Sequence, residues 1–440
     1  MKYNLLCPTR SAPMPDQKII ILGAGFCGLG AARALAEVGM PATVIEAKDR
    51  IGGRAWTSDL WPDLPVDMGA SWIHGVTGNP LTELTETLGI KQFPTSSENA
   101  VAFDATGRKI DYIAALEEIE TLIEKARDAI DDNDDDMSLK AAVEQSTGWL
   151  ALSPERRKLL RLALHTSVEH EYSGDWARLS AWYYDDGDDF PGGDAVMQTG
   201  YAPLIAHLAE GLDIHLGEPV LRLEPSGDGV RLETTRESYF ADKVIMTLPL
   251  GVLKSGDIQF GAPLKKKRQK AINRLEMGLL NKCWLRFDAA FWPEGFDWIN
   301  YLGDWQDDTP GHWTEFTNFS GAAGVPLLVG FNAAASAQTL EKLSDEATAA
   351  SAMAALRSMF GSAIPDPIGY QISRWQQDPF AQGAYSFQPV GTRSKTRKAL
   401  FGSDWDDRLF FAGEATSHEY PGTAHGALMT GRAAAALSIT

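Results

Sequence analysis

The stretch Ile19-Ile20-Ile21-Leu22-Gly23-Ala24-Gly25-Phe26-Cys27-Gly28 decides the fold. Four apolar residues run into a Gly-x-Gly-x-x-Gly turn, and Leu29 to Val38 reads as the helix that follows a buried strand. A second short strand, Ala42 to Ile45, completes a βαβ unit. The glycines permit a tight turn and close backbone approach, while amides at the helix start face a pyrophosphate. Alone, such a triplet is a weak signal. Glu46 strengthens it, because it ends the second strand 18 residues after Gly28. There a carboxylate can accept both hydroxyls of an adenosine ribose and would repel a 2′-phosphate. An unrelated glycine turn beside an exposed glutamate is the competing reading.

Immediately beyond, Arg50-Ile51-Gly52-Gly53-Arg54 forms a second glycine turn. Its arginine can pair with the same phosphates by forked hydrogen bonds, which favours FAD over NAD. Further along, apolar residues at Ile113, Leu116, Ile119, Ile123, Ala126 and Ile130 mark one face of a helix between Asp111 and Ile130. From 214 to 248 the pattern is β-rich: Val220 to Leu223 and Val230 to Leu232 flank the turn Ser226-Gly227-Asp228-Gly229, and Val244 to Thr247 follows. The chain is expected to rejoin a sheet there. A strand from Leu280 to Phe287 leads into a Trp- and Gly-rich stretch, and Leu409 to Ala412 precedes a glycine turn and a final Ala-rich helix.

These β-rich stations, separated by long insertions, predict two interleaved domains within 440 residues. The fold class is α/β: a doubly wound, Rossmann-like FAD-binding domain (15–85, 196–274 and 375–440) interleaved with an α+β substrate domain on a mixed sheet (86–195 and 275–374). The length suffices to bury about 75% of the unfolded chain's surface. Cys7, Cys27 and Cys283 are an odd number without C-x-x-C spacing, so they build neither a disulfide framework nor a zinc cluster. That points to a reducing compartment and a cytoplasmic, soluble protein; the start of the chain has no signal-peptide core and no run has the length of a membrane span. The formal net charge of -19 disfavours a nucleic-acid partner and favours cationic ligands. The runs Asp131 to Asp136 and Lys265 to Arg268 read as solvated turns or helix ends.

The sequence resembles the flavin-containing amine oxidases from residue 18 to residue 435. The motifs that carry the resemblance stand in the family's order: Gly52-Gly53-Arg54; Gly69-Ala70-Ser71-Trp72-Ile73-His74-Gly75; Leu279-Leu280-Asn281-Lys282; Asp378-Pro379-Phe380 with Gly383-Ala384-Tyr385-Ser386; and Gly413-Glu414-Ala415-Thr416 through Tyr420 to Gly426. Within the family it looks closest to the polyamine oxidase branch, which shares a catalytic domain with flavin-dependent histone demethylases. The resemblance implies FAD in the doubly wound domain and amine oxidation over a six-stranded sheet. It implies that Gly23, Gly25, Gly28, Glu46, Arg54 and Val220 hold the dinucleotide, with Val220 meeting adenine through its backbone. Gly69, Ala70, Ser71 and Trp72 would pass the flavin, and Trp375 would pack near its ring system. Gly413 and Glu414 would meet the ribityl and phosphate region, and Thr423 and Ala424 would start a helix whose amides face flavin N1 and O2. Because Ala384 stands where covalently linked members carry cysteine, the FAD is expected to be non-covalent. No metal is implied.

For catalysis, the resemblance places the rings of Tyr385 and Tyr420 on either side of the substrate and gives Lys282 a water held against flavin N5. Trp72, His74 and Glu171 would line the substrate tunnel. The bland alternatives are core aromatics, in a chain with 13 Trp, a solvated lysine on a strand where Leu280, Lys282, Trp284 and Arg286 share one face, a structural histidine and a surface glutamate. Hydride leaves the carbon next to nitrogen only when the nitrogen lone pair is free, so the bound amine must be neutral. For an alkyl amine of pKa about 10 this costs roughly 4 kcal/mol at pH 7, which a dry aromatic site offsets. The leading reading is an FAD-dependent oxidase of small cationic amines, most specifically polyamines, that yields an imine for hydrolysis and reduces oxygen to hydrogen peroxide. The alternatives are a monoamine or L-amino-acid oxidase, the latter requiring an arginine that the sequence does not assign, and a flavoprotein kept as a binding scaffold. The oligomeric state is left open.

Overall fold

The computed structural model describes residues 17–130, 135–305 and 311–440. Its first sheet runs in the order Asp213–His215, Thr43–Ile45, Ile19–Leu22, Lys243–Met246, Leu409–Phe411, Gly402–Asp404. Five strands are parallel and Gly402–Asp404 is an antiparallel edge. Ile19–Leu22 is buried throughout because both faces are covered, which is why it reads as an unbroken apolar run. Ile19 and Ile21 pack under the first helix, Phe26–Glu37, and the last, Ala424–Ser438. Ile20 and Leu22 face Leu223, Val230 and Leu232 of a separate four-stranded sheet.

The glycine turn is shorter than expected. The helix begins at Phe26 rather than Leu29, so Gly28 lies in its first turn, where a Cβ would stand 1.8 Å from the Gly23 carbonyl oxygen. Gly28 therefore serves close packing of turn and helix. The expected helix over 111–130 is Ile113–Asp128, with Ile119, Ile123 and Ala126 buried. The hairpin Val220–Ser226 and Gly229–Thr234 forms, but in the separate sheet; the parallel sheet is rejoined by Asp213–His215 and Lys243–Met246.

The second sheet is mixed and has seven strands among the described residues, not six: Gly369–Ile372, Leu280–Arg286, Leu327–Ala333, Glu315–Asn318, Trp298–Leu302, Ala100–Asp104 and the short Lys109–Ile110. Register sets Lys282 opposite Phe331, Phe331 opposite Glu315, and Glu315 opposite Asn300. These four side chains form a row on one face. The other face, with Cys283, Leu285, Phe316 and Leu328, packs on the helix Asp345–Phe360. Helices Ile113–Asp128 and Pro154–Leu164 stand over the row face, the latter running through a π-helical turn, His165–Glu169, into His170–Tyr172. No described helix is long and apolar enough to cross a membrane.

The basic run is not wholly solvated. Lys265, Lys266 and Lys267 are exposed, but Arg268 is only 1% exposed, with its Nε 3.1 Å from Asp404 and its guanidinium over the Phe411 ring at 4.3 Å. The helix Lys266–Arg274 turns this residue inward toward the edge strand. Cys27 and Cys283 are buried free thiols, while Cys7 and residues 131–134 of the acidic run lie outside the described residues. Arg268→Met should leave the Asp404 carboxylate buried without its guanidinium and cost about 3–5 kcal/mol of stability. Urea unfolding of the two proteins measures this, and a loss under about 1 kcal/mol would mean that Asp404 reaches water.

Candidate active site

One cavity of about 1170 Å³ runs from the first glycine turn to the helix Ile113–Asp128. At its nucleotide end Gly25 leads into the first helix with extended geometry and no side chain caps that helix, so its opening amides are left for an anion. Glu46 is held in place by the amides of Ala24 (2.7 Å) and Lys48 (2.9 Å) and still lines the cavity. Burial raises its pKa, and those amides, Lys48 and Arg50 oppose the rise. Arg54 donates to Glu414 (2.9 Å) and to the Ala384 carbonyl (2.8 Å). Burial alone would raise the Glu414 pKa, but Arg54 and Arg397 hold it below the ordinary value. Thr423 caps the last helix by accepting from Gly426 N at 3.0 Å. Gly69 passes so close that a Cβ would meet the Arg54 carbonyl at 1.7 Å and the Trp375 ring at 2.9 Å; the Trp375 indole donates to Met68 O at 3.0 Å. Gly23, Ala70, Val220 and Gly413 also line this end, whereas Gly28 does not. An uncapped helix start, a fixed carboxylate and glycine walls that admit no Cβ fit a dinucleotide.

At the centre lies Lys282. It is 4% exposed, which removes the solvated reading. Its ammonium donates to Gly69 O (2.5 Å), Asp67 O (3.3 Å) and the Ser71 hydroxyl, and the Trp72 ring centre is 5.4 Å away. Burial pulls its pKa down to about 7 against the field of Asp67. Trp72 lines the cavity, stacked on Trp298 at 5.7 Å.

His74 Nδ1 lies 2.9 Å from Asp194, whose other oxygen accepts from Gly75 N at 2.9 Å. Burial opposes charge on His74, but the Asp194 hydrogen bond and the fields of Glu171, Asp194 and Asp189 outweigh it and push the pKa up to about 9. Glu171 lines the cavity, its pKa raised by burial. The structure adds residues to which no sequence motif points. Asp194 is 120 positions from His74, and Glu315 reaches the cavity with one oxygen 3.1 Å from His170 Nδ1. Asp189 ends the run Tyr184-Asp185-Asp186-Gly187-Asp188-Asp189, a local density of carboxylates that was a legible signal.

The two tyrosines sit in different surroundings. Tyr385 lines the cavity and donates its hydroxyl to the His170 carbonyl at 2.5 Å. The Tyr420 ring lies flat on Phe190 (4.5 Å, 8°) and edge-on to His425 (5.1 Å), and the residues after it, Pro421 to Ala424, line the cavity. The chain reverses at Gly422 (φ +75°), where a Cβ would stand 3.4 Å from the Tyr385 ring. The Gly422 backbone therefore packs beside the Tyr385 ring.

The family profile of flavin containing amine oxidoreductases matches residues 26–438. The chain belongs to that family. It is a flavin-dependent amine oxidase and its cofactor is FAD. This amine oxidase is 36% identical over 435 residues to polyamine oxidase 2 of Arabidopsis thaliana, covering 95% of this chain and 87% of that one. It is 32% identical to lysine-specific histone demethylase 1 homolog 1 of Oryza sativa subsp. japonica, covering 97% of this chain and 52% of the relative. A putrescine oxidase double mutant, solved in a redesign of cofactor binding, shares the fold, with a TM-score of 0.77 at 22% identity and coverage of 96% and 99%.

Cys27 supplies the thiol among the lining residues, and burial pushes it up to about 12, so it is no nucleophile. Acid denaturation of the amine oxidase should therefore release its FAD into the supernatant; yellow precipitate after washing would contradict this. The His74 proton also couples to stability. Its folded pKa, about 9, lies above the ordinary 6.5, so the contribution is complete below pH 6.5 and is lost as pH rises through 9. Side-chain exposures of 43% and 40% for the pair damp its size. Thermal midpoints should fall across that window more steeply in the native enzyme than in Asp194→Asn, and identical profiles would dismiss the pair.

Proposed function

We propose that this amine oxidase acts on polyamines. One observation carries the reading: beyond Lys282 the cavity is lined by Glu171, Asp189, Asp194 and Glu315, and the basic lining residues there are two histidines, His74 and His170. A chain of ammonium groups complements such a wall, and a neutral-tailed monoamine leaves Glu171 and Asp189 unpaired. The arginines that line the cavity are committed elsewhere, Arg54 to Glu414 and Arg397 to Ser386 and the Ala415 carbonyl. That leaves no guanidinium for an amino-acid carboxylate.

FAD, when bound, would supply the two-electron acceptor for a hydride from the carbon beside nitrogen, with oxygen as the final acceptor. The protein's part is to bind the amine and bring its reacting nitrogen to the neutral form. Trp72, Phe331 and Tyr385 give that nitrogen an aromatic environment that disfavours its charge, while carboxylates farther along stabilise the remaining ammoniums. Lys282 Nζ, poised near pH 7, holds or releases a proton at the reacting end, acting through a bound water. The imine product leaves for hydrolysis.

Anaerobic bleaching of the flavin by spermine, spermidine, benzylamine and amino acids tests the reading. Polyamines should bleach it most efficiently, and equal efficiency for benzylamine and spermine would overturn the assignment. Reduction by saturating polyamine should accelerate from pH 7 to 9, as amine and His74 lose protons, and a flat profile would exclude rate-determining neutralisation. Lys282→Met should retain FAD and lose at least about tenfold, or 1.4 kcal/mol of barrier, in flavin reduction or reoxidation. Native rates in both half-reactions would remove Lys282 from the mechanism.

A further inference from the structure

We propose that Ser71 and Asp67 form a proton relay that carries the proton of Lys282 away from the amine and out through a second, smaller cleft. The inference rests on the reading that Lys282 exchanges a proton during the reaction, and it adds where that proton goes. Lys282 and Ser71 line the large cavity, and Asp67 lines a separate cleft of about 20 Å³, which has room for one water. Pro65 and Gln198, both exposed, line that cleft too, so it reaches the surface. The three residues thus connect the reacting end of the large cavity to solvent by a path that the substrate does not occupy.

The three protons of the Lys282 ammonium are directed at the Asp67 carbonyl, the Gly69 carbonyl and the Ser71 hydroxyl. Carbonyls only accept, whereas a hydroxyl can accept one proton and give up another. Ser71 is therefore the outlet among the three. Its own proton has two acceptors in reach, the Gly69 carbonyl at 3.5 Å and the Asp67 carboxylate, whose charged form the Ser71 hydrogen bond favours. The Asp67 side chain is fixed. Its Oδ1 accepts from Thr57 Oγ1 at 2.5 Å and from Tyr201 N at 3.1 Å, and a Cβ at Gly200 would stand 2.4 Å from the same oxygen.

In the transfer a Lys282 N–H bond breaks and a Ser71 O–H bond forms, while the proton Ser71 held before passes to Asp67. The lysine becomes a neutral amine, the carboxylate a neutral acid, and the serine is restored. Two buried charges disappear together, which a site away from water favours. Burial pushes the Asp67 carboxyl up to about 6 against the field of Lys282, and pulls Lys282 down to about 7 against the field of Asp67. Proton affinities brought this close let the proton cross in either direction. Besides Lys282, the titratable residue that meets Asp67 is Tyr201, and burial with the fields of Asp67 and Asp194 pushes its hydroxyl well above the ordinary value, so it keeps its proton. The neutral acid then yields its proton to a water in the cleft, and Lys282 can take the next one from bound amine. Asp67 acts on the reaction through Lys282 and has no need to touch the substrate.

Nitrogen NMR of FAD-loaded enzyme carrying isotope-labelled lysine reads the Lys282 titration, with the signal assigned by its loss in Lys282→Met. Asp67→Asn removes the negative charge that favours the ammonium, so the Lys282 midpoint should fall by at least about one pH unit, or tenfold in proton affinity. An unmoved midpoint would overturn the coupling. In rapid mixing with saturating spermine, the half-reaction that slows in Lys282→Met should slow at least about tenfold in Ser71→Ala and recover in Ser71→Thr, which keeps the hydroxyl. A native rate in Ser71→Ala would overturn the relay even if Asp67→Asn does not fold. If Lys282→Met itself keeps native rates in both half-reactions, the relay falls together with the reading of Lys282; a slow Lys282→Met beside native rates in the Ser71 and Asp67 variants sinks the relay alone.

Discussion

The buried ammonium of Lys282 is the constraint on which the site depends. Moving a cation out of water costs several kcal/mol unless its donors are all used. Here the acceptors come from one short segment, Asp67 to Ser71. That segment must stay close to Arg54 and Trp375, which a side chain at Gly69 would prevent. Satisfying one charge therefore seats the seven-stranded sheet against the nucleotide-binding part of the chain and fixes where the cavity passes between them. The same burial brings the lysine's pKa near neutrality, so its role in packing and its capacity to exchange protons share a cause.

Charge is graded along the cavity. The nucleotide end presents helix amides, Arg54 and Arg397, with the single Glu414 carboxylate in the field of both arginines. The opposite end presents carboxylates tempered by His74. Between them the row of Lys282, Phe331, Glu315 and Asn300 is set by strand register at about 4.8 Å per strand. One ladder of backbone hydrogen bonds thus spaces the lysine from the acidic side chain of the row, Glu315, with an aromatic ring as insulation.

Much was legible from local chemistry. Strand, glycine turn and helix from Ile19 to Glu37, the carboxylate at Glu46, the hairpin around Gly227 and the final helix all declare themselves within a dozen residues, because turn conformation and apolar periodicity are short-range properties. One departure was also local. Arg268 belongs to a basic run whose other members face water, and only the edge strand Gly402–Asp404 draws it inside. Tyr420 has the residue type for a substrate ring, and its stacking on Phe190 comes from tertiary structure alone.

By itself, the sequence determined a nucleotide-binding βαβ start, an amine oxidase motif order and an excess of negative charge. It did not determine where that negative charge is concentrated. Lys282 meets Gly69 across 213 residues, His74 meets Asp194 across 120, and His170 meets Glu315 across 145. No periodicity extends that far. Such pairs arise from which sheet faces close on one another and from the need to satisfy every buried polar group once they do; tertiary structure alone could turn scattered carboxylates into the wall of a cavity.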